Sequence, residues 1–156
     1  GWSETAGAVL SADSDAKRCC LALHRNLAKL CSPASCAALA NAKDFPVLLD
    51  PSSGGRMGYD RILADVPCSG DGTARKNAQL WRSWARTEAL KLFATQRNIL
   101  SRALYLLPPG GLLAYSTCSL NPVENEAVVH STLQRWRGRG GAPLELEDAV
   151  EACRRG

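Results

Sequence analysis

The stretch DRILADVPCSGDGT, Asp60 to Thr73, decides the fold. Its short apolar run, Ile62-Leu63-Ala64, has the length and composition of a buried strand and stops at an acid, Asp65. Val66-Pro67-Cys68 come next, and Ser69-Gly70-Asp71-Gly72 reads as a turn. An acid and a thiol therefore stand just past a strand end, on a loop, which is where parallel α/β sheets bind ligands. A second stretch, LLAYSTCSLNP from Leu112 to Pro122, repeats the plan: apolar strand, small polar loop, cysteine. The segment from Asp65 to Leu112 is long enough for a helical crossover between two parallel strands. Neighbouring strands lie about 4.8 Å apart, so loops from both ends can share one pocket. Cys68 and Cys118 become candidate partners.

Outward from these two stretches, strands and helices alternate, which predicts an α/β fold with a mostly parallel sheet. Ala8 to Ala12 reads as a strand ending at Asp13, with Ser14 and Asp15 able to cap the next helix. From Ala16 to Leu30, Cys20, Leu23, Leu27 and Leu30 recur at helical spacing, with Lys17, Arg18, Arg25 and Lys29 mostly on the wet side. Cys36 to Ala40 is a second strand. Phe45 to Leu49 fits a turn of helix, and Asp50 to Gly55 a loop. Trp81 and Trp84 open a helical turn and are expected to pack in the core rather than stack on bases. Thr87 caps a helix whose stripe is Leu90, Phe93, Ile99, Leu100, Ala103, Leu104 and Leu107, stopped by Pro108-Pro109-Gly110-Gly111. Asn121 and Glu124 fit a capping box around Pro122, starting a helix that runs to about Arg135. Leu144 to Leu146 fits one more strand.

With 156 residues the chain has the size of one domain, and a hydrophobic content of 46% supplies a core. A net charge of +4 permits an anionic partner such as nucleic acid without demanding one. No transmembrane run is present. The seven cysteines are odd in number and lack zinc-like spacing, so no metal is expected, and reduced thiols in an intracellular compartment are the simplest reading. Cys19, Cys20, Cys31, Cys36 and Cys153 are read as small buried apolar residues. His24 and His130 have no motif around them.

DVPCSGDGTARKN and YSTCSLNPVENEAVV resemble two signature motifs of the Sun-domain (NSUN-type) RNA cytosine-5 methyltransferases, the first being similar to the eukaryotic tRNA-modifying branch. The resemblance runs from about Gly7 to Val150. It implies a Rossmann-like methyltransferase fold that uses S-adenosylmethionine to methylate carbon 5 of cytosine in RNA, tRNA above all. The chemistry needs a thiolate to add to carbon 6, which makes carbon 5 nucleophilic toward a methyl sulfonium. The resemblance assigns attack to Cys118 and product release to Cys68; spacing alone does not rank them. It places Asp65 at the target cytosine, bordering the cofactor, and Asp13 on the cofactor ribose with Arg18 five residues on; Asp15 is a rival. Asn41 stands where the family has an acid facing adenine, with Asp44 beyond it. Arg75 and Lys76, just past the Cys68 loop, are candidate RNA phosphate contacts. Glu124 and Glu126 are read as helix-start residues. The expected location is nuclear or nucleolar, with the cytoplasm as the alternative.

Two departures qualify the match. The family's Ala-Pro-Gly-x-Lys cofactor loop is not in this sequence, and Gly54-Gly55 stands in the wrong place for it. The chain starts at Gly1 rather than Met and reads as a partial catalytic domain over 1–156, lacking the first strand and the last ones. It is expected to bind cofactor poorly alone. Two rivals remain: a non-catalytic RNA-binding scaffold on a degraded methyltransferase fold, and a DNA cytosine-5 methyltransferase, which would not need the later Ser-Thr-Cys-Ser.

Overall fold

The computed structural model describes residues 7–29 and 32–148. Cys31 and Cys153 lie outside them. The chain divides into two compact units: one takes the sequence up to Ala64 together with Arg102–Ala114, the other Asp65–Ser101 together with the sequence from Tyr115 onward.

The first unit opens with β1 (Val9–Asp13), which pairs in parallel with β2 (Ser35–Leu39) in the register Val9 to Ser35 through Asp13 to Leu39. Asp15 caps the connecting helix, its carboxylate accepting from the Arg18 N–H at 2.8 Å. That helix is α1 (Ala16–Arg18), a π-helical stretch Cys19–Leu23 and α2 (His24–Lys29). Cys19 is buried and Cys20 exposed, the reverse of the spacing-based expectation for Cys20. Cys36, also expected to be buried, is exposed.

Phe45 to Leu49 is not helical. Leu48–Leu49 forms β3 and pairs antiparallel with β4 (Arg56–Met57) around the Asp50–Gly55 loop. The Asp50 carboxylate organises that loop by accepting from the Ser52 N–H and from both the Ser52 and Ser53 hydroxyls, the Ser53 bond above all holding it at about 2. The end of α4 (Arg86–Leu106) anchors the hairpin: the Arg56 guanidinium lies 3.9 Å from the Tyr105 ring centre, and Arg102 Nε donates to the Phe45 carbonyl at 2.7 Å.

β5 (Arg61–Asp65) and β6 (Leu112–Ser116) pair with each other. In the first unit the Leu112 N–H donates to Asp60 O at 2.9 Å. In the second the Val66 N–H donates to Ser116 O at 3.1 Å. The two bonds keep the same chain order, so the strands run parallel and end together. Among the described residues, β1–β2, β3–β4 and β5–β6 form three two-stranded sheets rather than one continuous one.

The second unit also holds α3 (Leu80–Ser83), the first part of α4 and α5 (Glu126–Gly138). Along α4, Ala89, Gln96, Ile99, Leu100, Ala103, Leu104 and Leu106 are buried. Leu90, assigned to the apolar stripe, is instead exposed, because Ala89 takes the inward position one residue earlier. Trp84 ends α3 and is 40% exposed, so the core-packing expectation fails for it; the Trp81 side chain lies outside the described residues. α5 buries Val128 and Thr132. Leu144–Leu146 forms no strand.

Candidate active site

The second unit brings the two cysteine loops into contact. Cys68 Sγ and Cys118 Sγ lie 3.0 Å apart and share a hydrogen bond, and the Cys118 N–H donates to Cys68 Sγ at 3.3 Å. Both thiols are free. The hydrogen bond with Cys68, then burial, pushes the Cys118 thiol up from 9.0 to about 11, and the negative charge of Asp65 adds to the rise. Cys118 therefore rests protonated. Asp65, at the end of β5, is exposed and accepts from the Ser116 hydroxyl at 3.2 Å, so it stands beside the pair across the end of β6.

Backbone contacts lock the loops together. Gly70 adopts φ +74, a left-handed conformation in which an L side chain is strained, and turns the chain back toward the second loop. The Gly72 N–H donates to Cys118 O at 3.0 Å; a Cβ on Gly72 would meet that oxygen at 2.7 Å. The Asp71 carboxylate accepts from the Leu120 N–H at 2.9 Å and from the Gly72 N–H at 3.1 Å.

Beneath the loops lies a buried polar centre. Asn121 does not cap a helix. Its side chain accepts from the Val123 N–H at 3.0 Å, the chain turns through residues 122–125, and α5 starts after Asn125. Glu124 is released from any capping role and is fully buried. Its Oε1 accepts from the Ser69 N–H at 2.8 Å and Gln96 Nε2 at 3.0 Å, and its Oε2 from the Ser119 hydroxyl at 2.7 Å and the Ser69 hydroxyl. Burial pushes this carboxyl up, but the bonds from Ser69, Ser119 and Gln96 together outweigh it and hold the group below its usual range. Gln96, fully buried on α4, also donates to Pro67 O at 2.9 Å, directly before Cys68. The Tyr115 hydroxyl donates to Glu124 O at 2.7 Å, and burial pushes that phenol up.

Sequence reasoning missed Gln96 and misread Glu124. The signal for Gln96 was an uncharged polar residue seven before Ala103 and seven after Ala89, on the buried face of a long helix.

In the first unit, Asp13 ends β1 and pairs with Arg18, Nε to Oδ2 at 3.1 Å. The Asp15 N–H above all, with Arg18, holds the Asp13 carboxyl below its ordinary value against the upward push of burial. Asp13 O accepts from the Ala40 N–H at 3.1 Å, which sets Asn41 beside it at the ends of β1 and β2. Asn41 caps the 3-10 turn Ala42–Asp44, accepting from the Lys43 N–H at 3.1 Å. In the second unit, Arg75 and Lys76 are exposed in the turns just past Thr73. Among the described residues no cluster of His, Cys, Asp and Glu is arranged to hold a metal ion, and no helix is long and apolar enough to cross a membrane.

Comparison with known proteins fits this geometry. The family model described as 16S rRNA methyltransferase RsmB/F matches residues 3–152. The multisite-specific tRNA:(cytosine-C(5))-methyltransferase of Saccharomyces cerevisiae is 46% identical over 137 residues, 85% of this chain and 20% of that protein. The tRNA (cytosine(34)-C(5))-methyltransferase of Drosophila melanogaster is 42% identical over 146 residues, 92% of this chain and 19% of that protein. This chain thus spans about one-fifth of the length of these relatives. NSun6 from Pyrococcus horikoshii, solved with SFG, superposes with a TM-score of 0.67 at 26% identity, over 83% of this chain and 31% of that one. A methyltransferase homologue from the same organism superposes with a TM-score of 0.62 at 28% identity, over 82% of this chain and 37% of that one. The architecture is thus α/β and Rossmann-like, a part of a methyltransferase fold. The chain belongs to the RsmB/F family of RNA methyltransferases.

Proposed function

We propose that this chain is a partial catalytic domain of an enzyme that methylates carbon 5 of cytosine in RNA, with tRNA as the substrate class. The observation that carries the reading is the pair of free thiols 3.0 Å apart at the ends of two parallel strands, with Asp65 beside them. Cys118 attacks carbon 6 of the cytosine. It must first lose the proton it holds at rest, and Cys68 Sγ already shares a hydrogen bond with it. Asp65 bonds the amino and ring-nitrogen edge of the base and favours its protonated ring as the thiolate adds. After methylation, loss of the carbon-5 proton and expulsion of the Cys118 thiolate free the product, and Cys68 assists that release.

S-Adenosylmethionine is the methyl donor in this reading; its supports are the family and the relative solved with SFG, an S-adenosylmethionine analogue. The residues present fit it in part. Asp13 offers a carboxylate at a strand end, where ribose hydroxyls bind, and Asn41 offers a neighbouring amide for adenine. When bound, the cofactor supplies an electrophilic methyl group. The chain alone lacks the Ala-Pro-Gly-x-Lys run and is proposed to bind the cofactor weakly and to turn over little; tight binding in calorimetry would overturn that part. Arg75 and Lys76 are proposed RNA phosphate contacts, and the nucleus or nucleolus the location.

The test is trapping. Full-length protein carrying this chain is incubated with the cofactor and RNA containing 5-fluorocytosine, which blocks loss of the carbon-5 substituent. A covalent RNA–protein adduct is expected, and it disappears in Cys118→Ala. An adduct that survives the substitution would remove Cys118 from the attacking role.

A further inference from the structure

We propose that Glu124 is a positioning residue that sets the spacing of the two thiols. The inference rests on reading Cys68 and Cys118 as a working pair. The physical case is one of convergence. Among the described residues no ion pair reaches this fully buried carboxylate; it is satisfied by four donors, two on each oxygen. Those donors come from three segments. Ser69 supplies its N–H and its hydroxyl from the residue after Cys68. Ser119 supplies its hydroxyl from the residue after Cys118. Gln96, on α4, bonds both the carboxylate and Pro67 O, the residue before Cys68. One side chain therefore clamps both cysteine loops at the position next to each sulfur, and α4 holds the clamp in place.

The loops also bond each other directly, through the Cys118 N–H to Cys68 Sγ, the Gly72 N–H to Cys118 O and the Leu120 N–H to the Asp71 carboxylate; Glu124 adds a shared anchor at the residue after each sulfur. The Ser69 and Ser119 hydroxyls face each other at 3.4 Å, a long contact, and each makes its shorter bond to Glu124. A group with two acceptor oxygens in one plane bridges the two serines, whose hydroxyls alone make only a long contact. The role is one of shape and hydrogen bonding more than charge. A glutamine can keep its oxygen toward the Ser69 N–H and Gln96 and turn its amide toward the two hydroxyls, which can accept as well as donate. An alanine leaves the Ser69 N–H and the Gln96 amide buried without that partner.

The test uses thiol coupling, which needs neither RNA nor cofactor, so it fails independently of the methyl-transfer reading. In the full chain, diamide oxidises the two thiols to a disulfide; they give up two electrons and two protons, and the diazene is reduced to the hydrazine. Mass spectrometry counts the Cys68–Cys118 link. Iodoacetamide alkylation of Cys118, which needs exposure but no fixed spacing, is measured in parallel, and circular dichroism confirms a folded sample. The ratio of coupling to alkylation is expected to fall by about tenfold or more in Glu124→Ala and to stay within about threefold of wild type in Glu124→Gln. Merely loosened folding would speed alkylation in both variants alike. An alanine variant that keeps the wild-type ratio, or a glutamine variant that falls as far as alanine, would overturn the proposal. If Glu124→Ala does not fold, Ser69→Ala, which removes one of the four donors from the Cys68 side, carries the test: a lowered ratio supports the clamp, and an unchanged ratio refutes it.

Discussion

Replacing Cys68 by alanine should make Cys118 more reactive, not less. The hydrogen bond shared with Cys68 is the largest of the causes that raise the Cys118 thiol from 9.0 to about 11. Alanine removes that bond and the charge interaction with Cys68, while burial and Asp65 remain. If the value fell all the way to 9.0, the thiolate fraction at about pH 8 would rise from about one in a thousand to about one in ten. A less basic thiolate is a weaker nucleophile; with a Brønsted coefficient of about 0.4–0.5, two units cost about eightfold in intrinsic reactivity. The net gain is about tenfold, and about threefold if the value falls by only one unit. The assay is the rate of Cys118 alkylation by iodoacetamide against pH, followed site by site by mass spectrometry. The wild-type profile should have its midpoint near 11, and that of Cys68→Ala should move toward 9.0. An unshifted profile, or slower alkylation at about pH 8, would show that Cys68 does not hold the Cys118 proton.

Gly72→Ala should destabilise the second unit. Its Cβ would meet the Cys118 carbonyl oxygen at 2.7 Å, and backbone on both sides leaves no flexible side chain to yield. Overpacking of this kind costs about 1–3 kcal/mol, which at this chain length lowers the melting temperature by about 2–10 °C in calorimetry; an unchanged melting temperature refutes the close approach. Acid should unfold the site through Glu124. Its carboxyl is held below 4.5 in the folded chain, so its contribution is present above that value and disappears as pH falls through the lowered one. Chemical denaturation from neutral pH into this acid range should show a steeper loss of stability in wild type than in Glu124→Gln, and equal losses would show that the buried carboxylate is not linked to folding.

The sequence was most legible where the chain ends a strand. Asp13, Asp65 and the two cysteine loops were found because a short apolar run leading into a small polar loop has few other readings in an alternating fold. The resemblance singled out Asp13 and Arg18 together, but that the two form an ion pair is seen only in the structure. Glu124 was obscured by a local coincidence. Asn-x-x-Glu beside a proline satisfies the rule for a capping box, and only the tertiary structure shows the chain spending those residues on turns and burying the carboxylate against Ser69, 55 positions away. Gln96 stayed hidden because a polar residue within an apolar stripe is usually passed over as an interruption. The β3–β4 hairpin escaped notice because each strand is two residues long, too short for any periodicity. In α1–α2 the wet side was read correctly, with Lys17, Arg18, Arg25 and Lys29 exposed, while Cys20 left the expected apolar face at a π-helical stretch that side-chain spacing does not reveal.

The central claim is that Cys68 and Cys118 divide one reaction between them, and the accumulation of its covalent intermediate tests this most directly. Full-length protein carrying Cys68→Ala is incubated with cofactor and unmodified RNA, and covalent RNA–protein complexes are separated under denaturing conditions. A stable adduct is expected in Cys68→Ala and none in the Cys68→Ala, Cys118→Ala double variant. Full turnover by Cys68→Ala without any adduct, or an adduct that persists in the double variant, would contradict the claim.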